Sequence, residues 1–285
     1  MFKSFFPHPK WFFGSLILWF VINIALWYSG GNSWGTFLGM PQGYASAELP
    51  IGVSRFWAPS FLWFYLWFFI STVIFALFWQ FKSNNPWQRW SVWGSAFILF
   101  NIWFGVQVSL VVNAWYNPFY DLIQKMLSNG GGDVMLLYSG VMTFLYVAMV
   151  YVTTAVFNLF FVSHYIFRWR TAMNDYYTQN WDQLRQIEGA SQRIQEDTMR
   201  FARTMEGLGV SLVEAMMTLL AFLPVLFSLS SHVQQLPIVG AMPHALVWAA
   251  VSWAVLGTAV LMLVGYKLPG LELITRWLKP LTAKS

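Results

Sequence analysis

Six long apolar stretches, separated by more polar segments, dominate the pattern of hydrophobic and polar positions along the chain. They cover residues 11–28, 56–81, 90–115, 134–167, 207–229 and 245–266. A helix needs about 20 apolar residues to cross the roughly 30 Å hydrocarbon core of a bilayer, and each stretch is close to or beyond that length. The pattern therefore predicts an all-α integral membrane protein with six transmembrane helices.

The first apolar stretch has two interpretations. It follows a short basic start, and a charged start before an apolar run is typical of a signal peptide. The run is long and bulky, however, and no small-x-small cleavage motif follows it. We therefore favour a membrane helix that is retained in the mature protein.

Residues 160–231 begin apolar, become densely charged and then turn apolar again. We expect a charged cytoplasmic section at 168–203, and one long helix that carries Glu196, Glu206 and Glu214 at increasing depth. At 3.6 residues per turn, Glu214 returns to the face of Glu196 about 27 Å away, while Glu206 is offset from each by about 80°. Carboxyl groups at the membrane edge and deeper inside suit proton movement across a bilayer.

Each of these carboxylates also has a purely structural interpretation. Glu196 is placed to form an i,i+4 ion pair with Arg200, which contributes a few tenths of a kcal/mol. Glu214 is able to pair with a polar side chain on a neighbouring helix and so fix the packing. An ionised carboxylate in hydrocarbon costs several kcal/mol, so such a group faces a bundle interior or a wet cavity, or else holds a proton. Both interpretations of Glu206 and Glu214 stay open.

The third apolar stretch runs into an aromatic segment, residues 113–124, with the sequence NAWYNPFYDLIQ. Pro118 is expected to break the helix where the chain leaves the membrane. Asn113, Trp115 and Asp121 are candidates for an outer mouth, where a cationic peptide would meet a carboxylate and flat rings. An interfacial anchor is the alternative interpretation of this segment.

Composition supports the membrane class and removes several kinds of chemistry. Only 9% of the 285 residues are charged and 58% are hydrophobic, against about 25% charged residues in soluble domains. The absence of cysteine excludes disulfides, thiolate nucleophiles and cysteine-ligated metals. No GxxxxGK[ST], HExxH or GxSxG motif is present, and the four histidines are scattered, with His164 best explained as a hydrogen-bonded residue near a membrane edge. The sequence predicts no enzyme activity, no cofactor and no metal site.

The positive charges predict the orientation. With the N-terminus inside, 14 of the 16 basic residues fall on one side of the membrane, and only Arg55 and Lys125 fall on the other. Segments rich in Lys and Arg stay in the cytoplasm, so both termini are predicted to be cytoplasmic. The net charge of +5 is therefore a matter of topology, and no nucleic-acid partner is expected.

Several motifs carry a resemblance to a known family. They are MFKSFFP at the start, NAWYNPFYDLIQ in the middle, RWRTAMNDYYTQNW and RQIEGASQRIQEDTMRFA in the charged section, and FLPVLFSLS and KLPGLE later. With these motifs the sequence resembles the SbmA/BacA peptide-antibiotic transporters from residue 1 to about residue 272. The charged section is also similar to the cytoplasmic loop of ABC-exporter membrane domains.

The resemblance implies a bacterial inner-membrane homodimer with an ABC-exporter-like transmembrane domain and no nucleotide-binding domain. Such proteins use the proton gradient to import peptides, including proline-rich antimicrobial peptides, microcins and bleomycin-like glycopeptides. Glutamates on the long helices are thought to relay protons in the family. The family pattern matches Glu196 and Glu206, whereas Glu214 is not a position that matches it.

The resemblance ends before the chain does. After KLPGLE the sequence reads LITRWLKPLTAKS, where the family continues with a charged segment and two further helices. We therefore expect a chain that is truncated relative to the family. The predicted regions are a two-helix membrane region at 1–87, a partial ABC-exporter-like domain at 88–272 and an atypical tail at 273–285.

Two other functions stay open at this point. The chain is alternatively the membrane subunit of an ATP-driven peptide transporter whose ATPase is a separate protein. It is also interpretable as a non-transporting remnant, which would dimerise with a full-length copy and interfere with it.

Overall fold

The computed structural model describes residues 1–128, 131–186, 189–231, 235–236, 240–241 and 243–265. The α-helices in these ranges are α1 (Phe2–Phe5), α2 (Pro9–Tyr28), α3 (Pro59–Lys82), α4 (Ser95–Ser128), α5 (Val134–Gln179), α6 (Trp181–Leu184), α7 (Ala190–Thr204), α8 (Val210–Ser230) and α9 (Ala245–Gly265). Short 3₁₀ segments at Gly31–Leu38, Tyr44–Ser46 and Val53–Trp57 join α2 to α3. Two π-helical segments, Trp90–Gly94 and Met205–Gly209, lead directly into α4 and α8. Two-residue strands, β1 (Gln235–Leu236) and β2 (Gly240–Ala241), pair antiparallel.

Six helical stretches within the described ranges are long and apolar enough to cross a membrane. They are Pro9–Tyr28, Pro59–Lys82, Trp90–Ser128, Val134–Gln179, Ala190–Ser230 and Ala245–Leu263. This confirms the predicted all-α membrane fold with six spans. The predicted tail at 273–285 lies outside the described residues.

Local sequence signals explain where several helices begin and end. Pro9 and Pro59 occupy the first turns of α2 and α3, where a missing N–H has no cost. Asp133 caps α5, because its carboxylate accepts a hydrogen bond from the Met135 N–H at 2.9 Å. Asn180 follows the end of α5 and donates from its amide to the Tyr176 carbonyl at 2.7 Å.

The prediction that Pro118 breaks the helix is wrong. Helix α4 continues through Pro118 to Ser128. Packing against α5 compensates for the backbone hydrogen bond that proline removes: the Trp115 indole N–H donates to the Gly140 carbonyl at 2.9 Å, and its ring stacks on Phe119. A Cβ at Gly140 would lie only 2.6 Å from the Phe119 ring, so the glycine permits this close approach of the two helices.

Helix α5 is longer than a bilayer requires. Its 46 residues span about 69 Å at 1.5 Å per residue, more than twice the thickness of a hydrocarbon core. This length supports the prediction that the helix projects beyond the membrane, which stays a prediction. The C-terminal end of α5 and the antiparallel α7 form a helical hairpin, and the Trp169 and Phe201 rings pack across it at 5.1 Å.

The N-terminal segment fills the base of this hairpin. Phe5 is fully buried and stacks on Trp169 with 5.2 Å between the ring centroids. Phe2 contacts Trp169 on α5 and Phe201 on α7. We call the group formed by Phe2, Phe5, Phe6, Tyr165, Trp169 and Phe201 the N-terminal cluster. It ties the start of the chain to both arms of the hairpin.

The chain divides into two compact units, Met1–Thr218 and Leu219–Ser285. In the described part of the second unit, the Ser230 hydroxyl accepts a hydrogen bond from the Leu246 N–H at 3.1 Å, and the Phe227 and His244 rings meet at 4.9 Å. The apolar side chains of α9 are largely exposed, as in a helix that faces lipid.

Candidate functional site

The three predicted carboxylates lie on one continuous helix, Ala190–Ser230, formed by α7, the π segment and α8. Glu196 is in α7, Glu206 is in the π segment and Glu214 is in α8. The prediction of a single long helix after the turn is therefore confirmed. Their environments differ, however, and this difference separates Glu196 from the other two.

Glu196 is exposed and paired with Arg200, whose guanidinium lies 3.2 Å from the Glu196 carboxylate. Both side chains are about 60% accessible to solvent. Ion pairs at such exposed positions contribute little. This is the i,i+4 pair that the structural interpretation of Glu196 expects.

Glu206 is half-buried and faces α5. The Ser163 hydroxyl donates a hydrogen bond to Oε1 of Glu206 at 2.5 Å. A short O–H···O bond of this kind is typical of a charge-assisted contact with a carboxylate. Glu206 is therefore held by a specific partner that is 43 positions away in sequence.

A cavity of about 320 Å³ joins Glu206 to Glu214. Helices α4, α5 and α8 and the π segment form its walls, and the polar lining groups include Asn101, Tyr151, Thr154, Asn158, Glu206 and Glu214. Glu196 is not among its lining residues. Carboxylates, hydroxyls and amides thus line one open cavity, in which Glu206 is half-buried and Glu214 is exposed.

The π segment changes the register between Glu196 and Glu214. A π turn closes hydrogen bonds to i+5 and so holds more residues than an α turn. Residues beyond Met205–Gly209 are therefore rotated relative to the regular register that we used to place Glu214 under Glu196. The prediction of a regular 3.6-residue spacing across this stretch is wrong.

A larger cavity of about 590 Å³ lies between α5, α6 and α7. Its lining includes Arg170, Asn174, Tyr177, Trp181 and Gln195. Among the described residues no carboxylate lines it, so it lacks the group that proton carriage requires. The smaller cavity is for this reason the better candidate site.

His164 neighbours Ser163 in sequence but belongs to a different contact. The Arg168 guanidinium donates to Nε2 of His164 at 3.3 Å. The Cζ atom of Arg168 lies 5.2 Å from the Trp90 ring centroid. The prediction of a hydrogen-bonded histidine is confirmed.

The predicted outer-mouth residues lie on the far part of α4. Asn113 and Asp121 are exposed, and Trp115 is half-buried against α5. Trp115 makes packing contacts with Phe119 and Phe144 as well as its hydrogen bond to Gly140. The structure thus gives Trp115 a packing role, and contact of these three residues with a peptide stays a prediction.

A comparison with protein families identifies the chain. The model of the SbmA/BacA-like family matches residues 84–278, more than half of the sequence. The chain belongs to the SbmA/BacA-like family. The matched range contains the whole cavity and all three carboxylates, whereas α2 and α3 lie before it. The SbmA/BacA-like family is a transporter family, and membership suggests peptide transport across a membrane. Its spans make the chain a multi-pass membrane protein.

Sequence reasoning missed two residues of this site. They are Ser163 and Asn158, neither of which is predicted from the sequence. Both are polar residues within an apolar stretch of α5, which is the one signal that marks them. Their link to Glu206 and its cavity depends on helix packing, and a single sequence does not contain that information.

Proposed function

We propose that this SbmA/BacA-like protein imports peptides across the bacterial inner membrane and that a proton gradient drives the import. The observation that carries the proposal is the pair of carboxylates, Glu206 and Glu214, in one polar cavity among apolar helices. Ionisable groups inside a membrane are expensive and usually mark a pathway for ions or substrates. Family membership supplies the substrate class, and the resemblance implies a homodimer.

The mechanism follows from the placement of the two carboxylates along the helix. Eight residues separate them, which corresponds to about 12 Å of rise. This gap is too long for direct proton transfer, so water fills the cavity or the helix moves between states. A carboxylate that alternates between wet and closed settings gains and loses a proton, and this ties proton flow to the conformational change.

Reconstituted liposomes test this function. The purified 285-residue chain is inserted into vesicles that contain a pH-sensitive dye, and a fluorescent proline-rich peptide is added outside at acidic pH. We expect peptide uptake together with acidification of the lumen, and loss of both when a protonophore removes the gradient. Uptake that persists without a gradient would contradict proton coupling, and uptake that needs ATP and a separate ATPase would favour the alternative function.

We also propose that both termini and the α5–α7 hairpin are cytoplasmic. Support comes from the 14 of 16 basic residues that this orientation places on one side. Single cysteines at the exposed Ser33, Asn84, Ser128 and Ser191 provide the test in intact spheroplasts. An impermeant thiol reagent is expected to label positions 33 and 128 only. Labelling of 84 and 191 instead would reverse the proposed orientation.

A further inference from the structure

Asn158 on α5 has a buried side-chain oxygen with no partner. Its Oδ1 is buried and accepts no hydrogen bond from the described part of the chain. Buried amide oxygens are nearly always satisfied in folded proteins, and each exception calls for an explanation. Asn158 lines the cavity that holds Glu206 and Glu214, so the missing donor is expected inside that cavity.

Asn158 lies between the levels of the two carboxylates. Helix α5 and the helix of Glu206 run antiparallel, because Trp169 contacts Phe201 whereas Ser163, earlier on α5, contacts Glu206, later on the opposite helix. Asn158 precedes Ser163 by five residues, about 7.5 Å, and Glu214 is about 12 Å beyond Glu206 in the same direction. The unsatisfied oxygen is therefore between the two acids.

Several other polar groups of this wall already have partners. The Asn101 amide donates to the Thr154 carbonyl at 3.5 Å, and the Thr154 hydroxyl donates to the Val150 carbonyl at 2.8 Å. Among the described lining residues the titratable groups are Glu206, Glu214 and Tyr151, and no basic side chain faces them. Asn158 is thus a buried acceptor that is free to hold a donor between the acids.

We propose that Asn158 is a positioning residue that holds a water molecule between Glu206 and Glu214 and so completes the proton path. A cavity of about 320 Å³ has room for several waters, since about 10–15 Å³ of cavity volume is enough to hold one water. This inference rests on the proposed function, because it assigns the relay that the 12 Å gap requires.

The transfer step leaves Asn158 unchanged. The protonated Glu214 carboxyl breaks its O–H bond, and a new O–H bond forms on the adjacent water. That water passes a different hydrogen along the chain, and the last water gives a proton to the Glu206 carboxylate. The amide of Asn158 orients the water by accepting one of its hydrogen bonds, and it neither gains nor loses a proton.

The test compares two side chains of the same shape. Asn158→Val removes the acceptor, whereas Asn158→Thr has nearly the shape of valine and keeps an oxygen, one bond nearer the backbone than that of asparagine. In liposomes of the full chain, we expect Val to slow peptide-dependent proton uptake at least tenfold and to alter its pH profile. Thr is expected to stay within threefold of the parent, and peptide binding is expected to be unchanged in both.

A matched control lies outside the cavity. Asn23 on α2 donates its amide to the Trp19 carbonyl at 2.8 Å, and Asn23→Val is expected to leave the rate and the pH profile unchanged. Equal slowing by Val and Thr at position 158 would indicate a packing effect and overturn the inference. A parental rate in Asn158→Val would also overturn it, while leaving the proposed function intact.

A second measurement does not depend on transport. Infrared difference spectra follow protonation of the two carboxyl groups during a pH titration, with Glu206→Gln and Glu214→Gln identifying the bands. If the two acids share a water chain, replacing one acid by glutamine is expected to shift the titration of the other. The shift is expected in the parent background and in the Asn158→Thr background, and it is expected to be much smaller in the Asn158→Val background. The same shift in all three proteins would overturn the proposal even if no peptide is transported.

Discussion

Replacing Glu206 by glutamine is expected to reduce proton-driven peptide uptake to the background of empty liposomes. Glutamine has nearly the size of glutamate, and its carbonyl is still able to accept the hydrogen bond of Ser163 that Glu206 now accepts at 2.5 Å. Only the ability to gain and lose a proton disappears. Folding and membrane insertion are therefore expected to be preserved, and the loss is expected in the coupled step.

Glu196→Gln is the comparison that gives this result its meaning. The family pattern points to both residues, but Glu196 is exposed and paired with Arg200 outside the cavity. Its replacement removes a surface ion pair of small energetic value, so uptake is expected to stay within twofold of the parent. Liposomes with a pH-sensitive dye measure both variants side by side.

Two outcomes would contradict this assignment. Uptake by Glu206→Gln at the parental rate and with the parental pH dependence would remove Glu206 from the coupling step. A loss in Glu196→Gln as large as in Glu206→Gln would mean that the path includes α7, and the cavity between α4, α5 and α8 would then not be the whole route.

The six spans are predictable from sequence because they depend on composition over about 20 residues. Each apolar stretch is long enough to require a membrane, and helix is the conformation that satisfies its backbone there. The predicted start at residue 56 and the observed start of α3 at Pro59 differ by three residues. Such differences at helix ends depend on local capping.

The two errors in the fold arise where packing overrides a local rule. Proline removes a backbone hydrogen bond, yet contacts of Trp115 with Gly140 and Phe144 keep α4 continuous through Pro118. The π segment at Met205–Gly209 leaves no mark in the apolar pattern. It nevertheless rotates the residues that follow it relative to a regular α-helix, so regular spacing is a poor guide across that point.

Packing also explains why the sequence predicts only the two carboxylates of the candidate site. Glu206 and Glu214 stand out because acids are rare in apolar stretches. Ser163 and Asn158 are neutral polar residues of a kind that helices in membranes often contain. Their importance comes from the opposite helix, which brings Ser163 to Glu206 and places Asn158 in the cavity wall.

Truncation of Phe5 is expected to cost about 3–5 kcal/mol of unfolding free energy, the usual range for Phe→Ala in a packed core. Phe5 is 0% exposed and contacts the Trp169 ring at 5.2 Å and the Tyr165 ring at 5.3 Å. Burial, and to a smaller extent the positive charge of Lys3, also lowers the pKa of the Met1 amino group. Ser4, Phe5 and Phe6 are buried, so the surrounding side chains are expected to fill a cavity at Phe5 only in part.

Phe81→Ala is the matched control for this substitution. Phe81 lies in the last turn of α3 and is 89% exposed, so its loss is expected to change the free energy of unfolding by less than about 0.5 kcal/mol. Denaturant titration in detergent, followed by tryptophan fluorescence, compares the two variants. Equal midpoints for Phe5→Ala and Phe81→Ala would mean that the start of the chain does not stabilise the hairpin. A large drop for Phe5→Ala alone would mean that the start of the chain stabilises the hairpin. The N-terminal cluster would then hold α5, which carries Ser163 and Asn158, against α7, the helix that leads into Glu206.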